Sequence, residues 1–135
     1  FTGTTRNSSE VIGDYKIEHH KNLNTLDEMA LLVDEGQKLF ESNHAPTEIG
    51  KLLKESWKMK RSLSNKVSNT MIDEVVELGM RNGATGAKVL GAGGGGMVLF
   101  IASPEDHDGI KQILSDLIEI PVSFSENGFE VLSGN

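Results

Sequence analysis

Cysteine is absent from this 135-residue chain, proline occurs three times, and only 5 % of the residues are aromatic. Without a thiol there is no disulfide framework, no cysteine nucleophile and no zinc–thiolate site. Basic side chains are also scarce, thirteen against twenty acidic ones, for a net charge of −7. So acidic a chain gains no counterion-release drive toward nucleic acid, and an anionic membrane surface repels it. No apolar run approaches the roughly 18 to 20 residues that cross a bilayer. The start at Phe1 shows no charged n-region followed by an apolar stretch. These absences lead us to expect a cytoplasmic location and a piece of something longer. His19, His20, His44 and His107 have no metal-ligand spacing, so no metal site is expected. Asp27, Glu28, Asp34 and Glu35 read as charges on a helix surface and not as an acid–base pair.

What is present suffices for one core, with 37 % hydrophobic residues in a domain-sized chain. Three helices announce themselves first. Thr25, with Glu28 as box partner, opens one that runs to about Ser42 on a stripe of Leu26, Met29, Ala30, Val33 and Phe40. Pro46 and Thr47 open the next, with Ile49, Leu52, Leu53, Trp57 and Leu63 inward and Lys51, Lys54, Lys58 and Arg61 outward. Thr70 and Asp73 cap the third, whose stripe is Ile72, Val75, Val76 and Met80, and Gly83 stops it.

The period then changes. Residues 87–90 read as a short strand, and 97–102 as a six-residue apolar strand buried on both faces. Ser103, Pro104 and Asp106 start a fourth helix with Ile110, Ile113, Leu114 and Leu117 inward. Residues 120–125 and 128–132, joined through Asn127-Gly128, read as a hairpin. The expected fold is α+β: an antiparallel-rich four-stranded sheet, a ferredoxin-like β-β-α-β-β core, with three preceding helices packed on one face.

Glycine is the outlier, with five of the fifteen falling within Gly91-Ala92-Gly93-Gly94-Gly95-Gly96. The run formally satisfies G-x-G-x-x-G, but it leads into a strand, and a dinucleotide fingerprint needs a helix there to hold the pyrophosphate. A Walker A loop needs Gly-Lys-Ser/Thr, which is also missing. What remains is an almost side-chain-free connection between two strands. Each surplus glycine costs up to about 1 kcal/mol relative to alanine, so several together indicate that something approaches this backbone closely. A ligand's phosphates or another loop would do so, and bare amides can line an anion-binding concavity. Lys88, at the base of the loop, can reach such an anion.

Gly83-Ala84-Thr85-Gly86-Ala87-Lys88-Val89-Leu90, followed by the glycine run and Met97, resembles the third motif of the GHMP kinases. Trp57 to Ser64, then Val67, Ser68, Asn69, Ile72 and Asp73, together with the opening Thr2-Gly3-Thr4-Thr5-Arg6, resemble the sugar-kinase branch. That branch includes the D-glycero-D-manno-heptose 7-phosphate kinases. The resemblance implies the C-terminal domain, 25–135, of a two-domain ATP-dependent small-molecule kinase, with 1–24 joining it to an N-terminal domain. It implies that the N-terminal domain carries the Pro-x-x-x-Gly-Leu-Ser-Ser-Ser-Ala loop, which cradles ATP and contributes to binding Mg2+. The third motif, Gly91 to Gly96, then packs beside that loop and lines the substrate side.

Neither the serine-rich loop nor the N-terminal substrate motif occurs here, so the resemblance assigns no catalytic base, and the chain alone is expected to lack kinase activity. Met97 stands where the branch commonly has an aromatic residue. Lys88 and Arg6 are candidate contacts to an anionic substrate. The stripe of Lys51, Lys54, Lys58 and Arg61, with Lys60 and Lys66 nearby, reads as a solvated face, with attraction of a sugar phosphate or nucleotide as the alternative. Trp57 reads as core, with stacking on adenine as its alternative. A free-standing, non-catalytic module that binds a ligand or partner through the glycine loop stays open beside the kinase reading.

Overall fold

The computed structural model describes residues 1–3, 19–42 and 46–123, for 19–21 the backbone path alone. Its elements are helices α1 (His19–Glu41), α2 (Pro46–Ser62) and α3 (Thr70–Arg81), strands β1 (Ala84–Val89) and β2 (Val98–Ala102), a 3-10 turn (Pro104–Asp106) and helix α4 (His107–Ile113). The architecture is α+β. Among the described residues the sheet has two antiparallel strands, Val89 pairing with Val98 and Ala84 with Ala102, with an irregularity between Ala84 and Gly86. Residues 120–123 are not strand, and the rest of the expected hairpin lies outside the described residues.

The core forms where α2 and α3 meet β1. Trp57, Val67, Ile72 and Val89 are its buried cluster, with Val76, Ala92 and Val98 packed against it. Two side-chain-free positions let α2 come down on the strand. A Cβ on Gly86 would sit 1.9 Å from the carbonyl oxygen of Gly50, and one on Gly50 would sit 2.0 Å from the Thr85 hydroxyl. Backbone therefore meets backbone at this seam, and β1 begins at Ala84, which pairs with Ala102, and not at Ala87. Similarly, the Phe100 ring occupies the space beside Gly79, where a Cβ would come within 2.2 Å, and so seats α3 on β2.

Several boundaries differ from the sequence reading. Helix α1 starts at His19, placing Thr25 inside it. Asn69, not Thr70, caps α3: its backbone is extended and its side chain accepts the N–H of Ile72 at 3.0 Å. Asp73 instead accepts from the Ser68 hydroxyl at 2.6 Å and from Arg61 at 2.9 Å. Gly83 follows the C-cap Asn82, as its sequence context predicts. Ser103 precedes a 3-10 turn and makes no side-chain cap hydrogen bond.

The face of α1 is the larger correction. Leu26, Val33 and Phe40 are exposed, at 40, 69 and 58 %. Thr25, Met29, Leu32, Gly36 and Leu39 are the half-buried set, and the helix rests chiefly on α2. Asn22 is buried and donates to the carbonyl of Leu63 at 3.2 Å, tying the start of α1 to the end of α2. Strand β2 is half-buried at every position, not sealed on both sides. Its open side borders a groove of about 680 Å³ lined largely by apolar groups, among them Leu99, Ile110, Leu114 and Ile118. On α4, Ile110 is buried while Ile113 is exposed.

Candidate functional site

The glycine loop joins β1 to β2, and the Leu90 N–H donating to the Met97 carbonyl at 2.8 Å closes its stem. Gly91, Gly93, Gly94 and Gly96 all have positive φ, the region that glycine enters without the penalty a Cβ imposes. Gly93 to Gly95 are buried and Gly91 is exposed. The segment that approaches closely belongs to this chain: residues 64–69, between α2 and α3. A Cβ on Gly93 would lie 2.6 Å from the Val67 carbonyl oxygen, and the Gly94 N–H donates to that oxygen at 2.7 Å.

Each anchor of the loop has its own cause. Val67 is fully buried in the core cluster, which fixes its carbonyl under the loop. Asn69 uses both ends of its amide: the oxygen caps α3, and the nitrogen donates to the Gly94 carbonyl at 3.1 Å. At the far end, the Thr2 N–H and hydroxyl both donate to the Gly96 carbonyl at 2.9 Å. At the near end, the Lys60 ammonium donates to the carbonyls of Gly91 and, at 3.1 Å, Val89. At least one loop amide, that of Gly94, is thus used internally and not offered to a ligand.

Lys60 is the residue that the sequence reading placed wrongly, among surface cations. It is only 9 % exposed. Its spacing held the signal: Leu53, Trp57 and Lys60 follow one another at four and three residues, so Lys60 lies on the inward stripe of α2. Lys88 is half-buried and donates to the Ser56 hydroxyl at 2.5 Å. Burial pushes the Lys60 pKa below its ordinary value of 10.5, and the neighbouring charge of Lys88 adds to the effect. Burial lowers that of Lys88 as well. The other stripe residues behave as surface charges, Lys51 pairing with Glu48, Lys58 with Glu55 and Arg61 with Asp73. Arg6 lies outside the described residues. Trp57 is 4 % exposed and belongs to the core, so its ring is not a free stacking platform.

Among the described residues no three His, Asp or Glu side chains come together to hold a metal ion, and no helix is long and apolar enough to cross a membrane. The wide groove beside β2 touches the loop only at its stem residues Leu90 and Met97, away from both lysines.

Three comparisons bear on this arrangement. Residues 37–119 match the family described as GHMP kinases C terminal. A D-glycero-alpha-D-manno-heptose 7-phosphate kinase from Campylobacter jejuni is 29 % identical over 113 residues, covering 77 % of this chain and 31 % of that protein. The fold superimposes with a TM-score of 0.76 on the L. major mevalonate kinase crystallised with R-mevalonate, at 22 % identity over 85 % of this chain and 36 % of that one. The chain therefore spans about a third of the length of both relatives. Matching over most of its helices, both strands and the whole glycine loop, the chain belongs to the GHMP kinase C-terminal family.

Proposed function

We propose that this chain is the C-terminal domain of an ATP-dependent kinase acting on a sugar or sugar phosphate, and that Gly91 to Gly96 support its nucleotide loop and line its substrate side. The observation that carries this reading is the anchoring of the loop from behind. Val67, Asn69, Lys60 and Thr2 hold its backbone, so its shape does not depend on a ligand. Phosphoryl transfer depends chiefly on positioning and charge stabilisation, to which a rigid, side-chain-free wall contributes without supplying an acid or base. The name of the Campylobacter relative supports a sugar phosphate as acceptor.

In this reading residues 1–24 join the domain 25–135 to an N-terminal kinase domain, which holds most of the ATP and the Mg2+. Bound Mg-ATP supplies the transferable phosphoryl group. The described residues offer no carboxylate cluster that fits the metal. Lys88 and Arg6 contact the anionic substrate, and the acidic catalytic residue belongs to the N-terminal domain.

The test is a coupled ADP-release assay with heptose 7-phosphate. The 135-residue chain alone gives no turnover, whereas the chain fused behind a GHMP N-terminal domain does, and Gly93→Ala in the fusion removes most of it. Turnover by the chain alone contradicts the proposal, as does a fully active Gly93→Ala fusion.

A further inference from the structure

Two ammonium groups lie near the root of the glycine loop, and neither meets a carboxylate among the described residues. Lys60 comes from α2, and Lys88 from β1 reaches Ser56, one turn before Lys60 on the same helix. Elsewhere, Lys51, Lys58, Arg61, Arg81 and Lys111 each meet an acid at the surface. The distribution is the reverse of what solvation favours, because exposed cations need no counter-charge and buried ones do. It is more telling in a chain with twenty acidic residues and a net charge of −7, which has carboxylates available to neutralise a purely structural lysine.

Donor counting leads to the same place. An ammonium carries three N–H donors. Lys60 uses two, on Val89 and Gly91, and Lys88 uses one, on Ser56. Among the described residues three ammonium protons remain without an acceptor, together with the Ser56 hydroxyl proton. We propose that Lys60, Lys88 and Ser56 form a binding site for a phosphoryl group at the root of the glycine loop. A phosphate monoester matches the site in charge, a dianion for two cations, and in number, with three terminal oxygens to accept from the remaining donors. A carboxylate neutralises only one of the two cations. The inference rests on the substrate-side contact proposed for Lys88 above and deepens it by naming the partners and the ligand chemistry. The phosphate can belong to a sugar phosphate or to a nucleotide.

The test is calorimetric titration of the 135-residue chain with inorganic phosphate, a hexose 6-phosphate and metal-free ATP, against chloride at matched ionic strength. Phosphate binds at millimolar concentrations where chloride does not. Lys88→Met weakens binding by about tenfold or more, the loss expected for a charge-assisted hydrogen bond. Lys60→Met has the same effect where it folds, and Lys88→Met, altering a half-buried side chain, covers the case where it does not. Tighter binding of the hexose phosphate than of ATP identifies the acceptor as the source, and the reverse order identifies the nucleotide. Phosphate heats equal to those of chloride overturn the site, as does a folded Lys88→Met chain that binds phosphate as tightly as the original. Phosphate binding retained by a fusion without turnover removes the kinase reading and leaves this site standing.

Discussion

Helix α2 packs on strand β1 and on helix α1 among its neighbours, and these two contacts are built differently. Toward β1 it presents Gly50, Trp57 and Lys60, and the fit is so close that a single added carbon collides with backbone. Toward α1 it offers Leu52, whose methyl would lie 3.2 Å from a Cβ on Gly36, a separation that a small side-chain shift relieves. The first seam fixes the glycine loop. The second holds a long helix that keeps Leu31, Val33 and Phe40 exposed. The same helix thus has a determined geometry on one side and a tolerant one on the other, because backbone contacts cannot yield and side-chain tips can.

The sharpest way to break this contrast is to empty the determined seam. Trp57→Ala removes the largest member of the core cluster and should cost about 3 to 5 kcal/mol in urea unfolding. A loss no larger than that of an exposed truncation would mean the cluster is not the core. Next comes a matched pair of one-carbon additions. Gly86→Ala, colliding with the Gly50 carbonyl, should destabilise by about 2 to 3 kcal/mol. Gly36→Ala on α1 should be neutral or gain up to about 1 kcal/mol from helix propensity. Equal effects at the two sites would abolish the distinction.

A smaller effect concerns Lys60. Its folded-state pKa lies below the ordinary 10.5, so between those two values the unfolded chain binds more protons than the folded one. The contribution of this group to stability therefore rises with pH across that window, by at most about 1.4 kcal/mol per unit. The stability of the original chain relative to Lys60→Met should climb as pH approaches 10.5, and parallel curves would contradict the burial of the ammonium. Smallest of all, Val33→Ser on the outer face of α1 should change stability by no more than about 0.5 kcal/mol.

The same contrast explains what the sequence made legible. The switch from helical to strand period, the stop at Gly83 and the side-chain-free connection between the two strands were readable, because each is written in local residue types. The face of α1 was not. Leu26, Val33 and Phe40 share one helical spacing and Leu32 and Leu39 another, with Met29 read on the first and half-buried with the second, so periodicity alone offers two apolar stripes and only tertiary contact selects one. Lys60 was missed because its charge outweighed its position on the stripe through Trp57. The glycine loop was read as inviting a close neighbour, and the structure supplies that neighbour from within, at Val67. No local pattern reveals that pairing, since 26 residues separate Val67 from Gly93.

One observation bears most directly on the idea that this loop is shaped by its own chain before any nucleotide or second domain arrives. Native-state hydrogen exchange can be followed at the Gly94 amide, which donates to the Val67 carbonyl at 2.7 Å. In the ligand-free 135-residue chain it should be protected to nearly the same degree as the amides of β1, and Asn69→Ala should lower that protection. Exchange of Gly94 at the rate of an unstructured peptide, while β1 stays protected, would contradict a preformed loop.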